Sequence, residues 1–242
     1  GFGESVPDPE KIGVVLGNGR YYAPRLKVPT ETRTYGYPKL LLQLNLEFDD
    51  GSTTSVVSDE SWKLTTDGPI RANCEYDGEE YDARAELDGW AEPGFADAKW
   101  EKVQLVSSGD GTPLQMRVGS EVAQLGPLFR NARMAAQMIE PIRVTETLKP
   151  ISLTQQSPGV WIFDLGQNMV GWCRLRVHGP RGTEVTLRHA ETLRPDGSLY
   201  LDNIRSAKVT DTYILRGQGT EVWEPRFTYH GFQFVEITGL PE

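Results

Sequence analysis

Histidine and cysteine are scarce in this 242-residue chain, which holds three histidines (His178, His189 and His230) and two cysteines (Cys74 and Cys173). The cysteines lie 99 positions apart with no Cys-x-x-Cys spacing. That excludes a cysteine metal site, and two free thiols are expected, because a chain this long needs no bridge to hold its core. The histidines form no cluster along the sequence, and His178 and His189 sit on strand-like alternation. With no Gly-x-Ser-x-Gly turn present, a Ser-His-Asp triad is not expected. Positive charge is also short: the net charge of −9 excludes the basic face with which nucleic-acid binders collect phosphates, and argues against docking on an anionic membrane. No run of about 18 apolar residues offers a membrane span. The opening GFGESVPDPEKIG has neither the basic start nor the apolar core of a signal peptide. A mature secreted protein would look the same, so the compartment stays open. The run Gly17-Asn18-Gly19-Arg20-Tyr21-Tyr22 begins like a phosphate loop but lacks the third glycine and a following helix, and reads as a hairpin turn.

What the chain does have is turns. Glycine (25) and proline (16) punctuate short runs of period-2 alternation rather than long helices. In KLLLQLNLEFDDG, Leu40, Leu42, Leu44, Leu46 and Phe48 share one face and Leu41, Gln43, Asn45 and Glu47 the other, predicting a half-buried strand. Asp49-Asp50-Gly51-Ser52 then predicts a tight reversal into TTSVVS. WCRLRVHGP sets Cys173, Leu175 and Val177 against Arg174, Arg176 and His178, and TEVTLRHAETL repeats the pattern with Val185 and Leu187. TDTYILRG and GFQFVEITG read as further strands. Turn signals fall at Asp77-Gly78, Gly109-Asp110-Gly111, Arg181-Gly182 and Pro195-Asp196-Gly197. The only helical candidates are short, at Ala96 to Trp100 and Arg130 to Met138. The fold class is therefore all-β: two tandem antiparallel β-sandwich, jelly-roll-like domains with very little helix. The proline-bracketed run PIRVTETLKPISL places the boundary so that residues 1–137 and 138–242 form one module each.

The stretch EYDGEEYDARAELDGW, Glu75 to Trp90, holds seven carboxylates in sixteen residues, with two tyrosines, a tryptophan and one arginine. Four readings compete. A glycosidase dyad needs two acids about 5–9.5 Å apart, one with a raised pKa, and crowding alone would supply such a pair, so it identifies none. Calcium takes six to eight oxygens, and Asn73, Glu75, Asp77, Glu79 and Asp82 offer them without a DxDxDG pattern. A sugar pocket needs aromatic faces and bidentate polar groups, and Asn73, Tyr76, Asp77, Glu79, Tyr81, Asp82, Arg84 and Trp90 are such a set. The fourth reading is a solvated acidic loop whose aromatics pack on the sandwich.

The segment Phe163 to Gly239, from FDLGQNMVGWCRLRVHGPRG to GFQFVEITG, resembles the β-sandwich module of bacterial α-L-rhamnosidases, glycoside hydrolase family 78. VVLGNGRYY (Val14 to Tyr22), SDESWKLTTDGPI (Ser58 to Ile70) and the acidic stretch are similar to the family's N-terminal module, more loosely. The resemblance implies that catalysis belongs to a downstream (α/α)6 barrel carrying the general acid and base of an inverting hydrolysis. No long helical pattern is present here, so the chain is expected to lack that barrel and to be clipped at its beginning. It is then a non-catalytic carbohydrate-recognition and scaffold portion of an enzyme acting on terminal α-L-rhamnosides, or a purely structural support that binds no sugar.

In some family members the N-terminal module is linked to calcium-dependent binding of L-rhamnose, which implies calcium at Asn73, Glu75 and Asp77 as the one cofactor. Members commonly place an acid two residues before the tyrosine of the motif seen here as Tyr76-Asp77-Gly78-Glu79; this chain has Cys74, a poor ligand for calcium and for hydroxyls. Asp164, Gln167, Asn168, Trp172, His230 and Gly231 also match family positions. They are expected to be a strand cap, a core tryptophan and a glycine of special geometry, with Asn168, Trp172 and His230 as the alternative interface to the missing barrel. The implied partners are L-rhamnose or rhamnosylated glycans and that barrel.

Overall fold

The computed structural model describes residues 12–23, 37–106, 114–118, 121–125 and 136–241, with backbone alone for 114–118 and 121–125. The turn at Gly109-Asp110-Gly111 lies outside them, as does most of the helix expected at Arg130 to Met138; its last residues, 136–138, are not helical. The described chain is all-β. It opens with β1 (Gln43–Glu47), β2 (Thr53–Val57), β3 (Lys63–Leu64), β4 (Ile70–Cys74) and β5 (Gly78–Asp82). The strands β6 (Glu101–Lys102), β7 (Leu114–Val118) and β8 (Glu121–Leu125) follow. Then come β9 (Ser152–Ser157), β10 (Val160–Gly171), β11 (Leu175–His178), β12 (Glu184–Ala190) and β13 (Thr192–Leu193). Last are β14 (Leu199–Tyr200), β15 (Thr210–Ile214), β16 (Thr220–Trp223) and β17 (His230–Thr238). Among the described residues, helix is confined to two three-residue 3-10 turns, Ala83–Ala85 and Asp202–Ile204. Ala96 to Trp100 makes only a turn, closed by Trp100 N–H donating to the Asp97 carbonyl. No helix among the described residues is long and apolar enough to cross a membrane.

Two compact units are interleaved along the chain: residues 1–16, 38–66 and 87–139 make one, and 17–37, 67–86 and 140–242 the other. In the first, β1 and β2 pair antiparallel in the register Gln43↔Val57 to Glu47↔Thr53. The reversal is the expected one: Gly51 takes φ +79°, its N–H donates to the Phe48 carbonyl, and Asp50 accepts from Ser52 N–H. The alternation of KLLLQLNLEF survives, although its apolar face is only part covered, with Leu44 and Phe48 40% and 39% exposed. Strands β3 and β6 pair beside the Lys63–Asp97 ion pair. A third pair joins β7 and β8.

The second unit carries a seven-stranded sheet in the order β4-β5-β15-β12-β17-β10-β9. Its pairings are antiparallel except β5 with β15, which run parallel. The alternation of WCRLRVHGP and TEVTLRHAETL fixes which residues face inward. Leu175 and Val177 on β11 and Trp223 on β16 pack over Val185, Leu187, Tyr213, Phe232, Val235 and Ile237 of the large sheet. Each such side chain contributes on the order of 1.5–3 kcal/mol by leaving water. On the other face of the sheet, Ile162, Ala190 and Leu199 form a smaller cluster under β13 and β14. The β10 strand is interrupted between Asp164 and Met169. Asp164 braces that interruption by accepting from Gly166 N–H and from the Gln233 amide.

Candidate functional site

The acidic stretch begins as a hairpin whose turn, Glu75 to Asp77, joins β4 to β5 through the Cys74↔Gly78 pair. Gly78 has φ +104°, and a Cβ there would lie 2.0 Å from the Thr210 carbonyl oxygen, so the backbones touch. Only glycine tolerates that conformation and that approach. The turn is tied to residues 208–210: Val209 and Thr210 N–H donate to the Tyr76 and Asp77 carbonyls, and Lys208 N–H to Asp77 Oδ1. Parallel pairing of Glu80 to Asp82 with Thr212 to Ile214 completes the attachment.

This attachment turns much of the expected sugar set inward. Glu79 is fully buried, and its Oε2 accepts from the Arg226 and Phe227 N–H groups. Burial holds its carboxyl up at about 7, opposed by those two N–H donors. Tyr81 packs against Tyr213 and Trp223 and donates to Glu86. Asn73 is 8% exposed and its Oδ1 accepts from Asn18 N–H at 2.6 Å. A buried side chain cannot present its oxygens to a sugar at the surface, so Asn73 and Glu79 belong to the packing, and the half-buried Tyr81 gives its hydroxyl proton to Glu86. Asp82 and Arg84 form a two-pronged ion pair, while Trp90 belongs to the first unit, where its ring lies against Gly13. All three turn residues, Glu75 to Asp77, stay part-accessible, with the Arg20 guanidinium 5.6 Å from the Tyr76 ring centroid and 3.0 Å from Glu75.

The oxygens expected to hold calcium have protein donors: Asn73 binds Asn18, Glu75 pairs with Arg20, and Asp77 accepts from Lys208. Cys74 is buried and free, its Sγ accepting Asp77 N–H; Cys173 is free as well. Of the residues expected at an interface, Asn168 is exposed and donates to Glu191. Trp172 is half-buried and donates to Glu224; the tryptophan of the core is Trp223, not Trp172. Gly231 does not take a positive φ, so the special geometry expected of it is not found. His230 is 3% exposed and turned into the sheet core.

That burial exposes the group which sequence reasoning missed. His189 on β12, Asp211 on β15 and His230 on β17 stand on neighbouring strands, with ligand atoms all within 4.8 Å of one another. Asp211 pairs across the ladder with Leu187, and His189 follows two residues later on the same face, which makes it the diagonal neighbour of Asp211. His230 Nε2 lies 3.1 Å from Asp211 Oδ1; a carboxylate only accepts, so Nε2 carries the proton. By the same logic His189 Nδ1 donates to the Val209 carbonyl at 3.1 Å. Its Nε2 is then a lone pair 3.9 Å from Asp211 Oδ2, without a hydrogen-bond partner among the described residues. Burial, and then His230, lower the His189 pKa to about 4, so the ring is neutral at pH 7. The two rings stack at 4.3 Å, and Phe232 meets His189 edge-on at 4.6 Å. The only sequence signal was that a polar residue occupied an inward position of alternating strands.

Family models match most of the chain. Residues 7–146 match the α-L-rhamnosidase N-terminal domain, and residues 154–242 the bacterial α-L-rhamnosidase concanavalin-like domain. An α-L-rhamnosidase of Streptomyces avermitilis is 45% identical over 204 residues, which is 84% of this chain and 18% of that protein. One from Alteromonas sp. is 37% identical over 231 residues, 96% of this chain and 23% of its own length. The chain therefore spans about a fifth of these relatives. Among solved structures, that of an α-L-rhamnosidase from Dictyoglumus thermophilum superposes with a TM-score of 0.75 at 40% identity, covering 94% of this chain and 22% of that one. That of the Streptomyces avermitilis enzyme complexed with L-rhamnose gives 0.71 at 44%, covering 83% and 18%.

Proposed function

The chain belongs to the bacterial α-L-rhamnosidase family, and from that membership we propose that it is a non-catalytic scaffold portion of an enzyme hydrolysing terminal α-L-rhamnosides. The observation that carries this reading is a group of exposed apolar side chains on and before the end strand of the large sheet. Strand β9 ends the sheet order, and Ile142, Val144, Ile151 and Leu153 in and before it are 74%, 61%, 71% and 53% exposed. Val170 on β10 is 75% exposed. Exposed apolar side chains beside a strand that ends its sheet among the described residues favour an occupant. The occupant proposed is the catalytic remainder of such an enzyme, since the part matched is only 18% and 23% of those relatives' length. The acidic stretch supports the same reading, because its hairpin closes the sheet and its most buried acid caps backbone N–H groups. A pure preparation of this chain is expected to leave an aryl α-L-rhamnoside intact, and measurable hydrolysis would overturn the assignment.

A second reading, sugar recognition, is favoured by the accessible trio of Arg20, Glu75 and Tyr76, which combines an aromatic ring with charged hydrogen-bonding groups. Calcium joins this reading only if Glu75 and Asp77 exchange Arg20 and Lys208 for the ion. Calorimetric titration with L-rhamnose, with and without calcium, separates the two. Heat that vanishes in Tyr76→Ala supports recognition, and no heat at millimolar sugar leaves the scaffold role alone.

A further inference from the structure

The buried group His189, Asp211 and His230 serves neither role, and its geometry points to a metal site: we propose that these three side chains bind one divalent transition cation, zinc above all, inside the large sheet. Nitrogen and oxygen ligands about 2.0–2.1 Å from zinc stand roughly 3.4 Å apart in a tetrahedron. The separations here straddle that value: His230 Nε2 is 3.1 and 3.2 Å from the two Asp211 oxygens, and His189 Nε2 is 3.9 Å from Oδ2. The ion would take the place of the proton on His230 Nε2 and draw His189 inward.

Three further features favour an ion over a simple hydrogen-bonded core. His189 Nε2 is a fully buried lone pair with no hydrogen-bond partner among the described residues, 3.9 Å from a carboxylate that cannot donate to it. A buried acceptor left in that state destabilises the fold unless something positive reaches it. The Nδ1 of the same ring donates to the Val209 carbonyl, the outer contact that ordinarily orients a metal-bound histidine. The Glu79 N–H donates to Asp211 Oδ1 at 2.9 Å and so holds the carboxylate in place. Imidazole and carboxylate ligands select zinc and its neighbours over calcium, which prefers an all-oxygen shell. With the ligand side chains 0–1% exposed, the ion would enter during folding rather than by diffusion into the native sheet.

The test is refolding of the full chain from denaturant and chelator in the presence of cobalt(II), followed by desalting. One cobalt per chain, with the visible absorption of a four-coordinate ion, is the expected result. Refolding with zinc should raise the melting temperature by about 5 °C over refolding with chelator. His178→Gln removes the only histidine outside the group, and should retain both signals. His189→Gln should lose both. Should that variant fail to fold, the wild type and His178→Gln still decide the matter. Wild-type chain that retains no cobalt and melts at one temperature in zinc and in chelator overturns the proposal, leaving a hydrogen-bonded core network. Retention that disappears in His178→Gln overturns it too, by placing the ion on the surface.

Discussion

The backbone N–H of Glu79 donates to Asp211 Oδ1 at 2.9 Å, joining positions 132 residues apart inside the core. Asp211 also accepts from His230, so one carboxylate ties the acidic hairpin on β5 to the first residue of β17. Asp211→Ala would leave an unpaired buried N–H and an unpaired imidazole N–H. Urea denaturation should show a loss of about 3 kcal/mol, at the upper end for a single change. A loss below about 1 kcal/mol would mean that the hairpin is held mainly by its backbone pairing.

Close backbone approach makes a sharper contrast between two glycines. Gly78 and Gly51 both have positive φ, but a Cβ at Gly78 would collide with Thr210 while one at Gly51 meets nothing within 4 Å. Gly51→Ala should cost about 1 kcal/mol from backbone strain alone, and Gly78→Ala several times that. Thermal melting of the two variants checks the ratio.

The pH dependence of stability carries two opposed contributions in metal-free protein. The Glu79 carboxyl is raised from 4.5 to about 7, chiefly by burial. The folded chain therefore keeps a proton that the unfolded chain has released, and this contribution is full below pH 4.5 and is lost as pH rises to 7. His189 is lowered from 6.5 to about 4, so its contribution is lost as pH falls through that range. Glu79→Gln removes only the first. Relative to wild type, its stability should improve by about 2 kcal/mol between pH 5 and pH 8 with chelator present. A gap that stays constant with pH would show that Glu79 is ionised in the fold throughout.

The apolar edge offers a variant that separates folding from association. Leu153 is 53% exposed, so Leu153→Lys should change the stability of the isolated chain by less than about 0.5 kcal/mol. It should weaken binding to a separately produced catalytic remainder, measured by gel filtration or calorimetry. Unchanged binding would place the contact elsewhere.

Local chemistry was legible wherever it is decided by neighbours in sequence. The Asp49 to Ser52 reversal needs only a glycine at positive φ and an Asp side chain, and the inward placement of Leu175, Val177, Val185 and Leu187 needs only alternation. The same alternation marks His189 as inward-facing but gives no sign of what it would meet.

The sequence by itself determined an all-β chain, its family and most of its strands, because period-2 burial and turn residues act over a few positions. Tertiary structure decided the meaning of its two notable clusters. The crowded acids from Glu75 onward became the closing hairpin of a sheet, because pairing with β4 and β15 sets Glu79 in the core and Tyr81 against Tyr213 and Trp223. Three polar residues scattered between positions 189 and 230 became one buried group, because β12, β15 and β17 are neighbours in the sheet. Strand order is set by long-range pairing, and no local pattern encodes it.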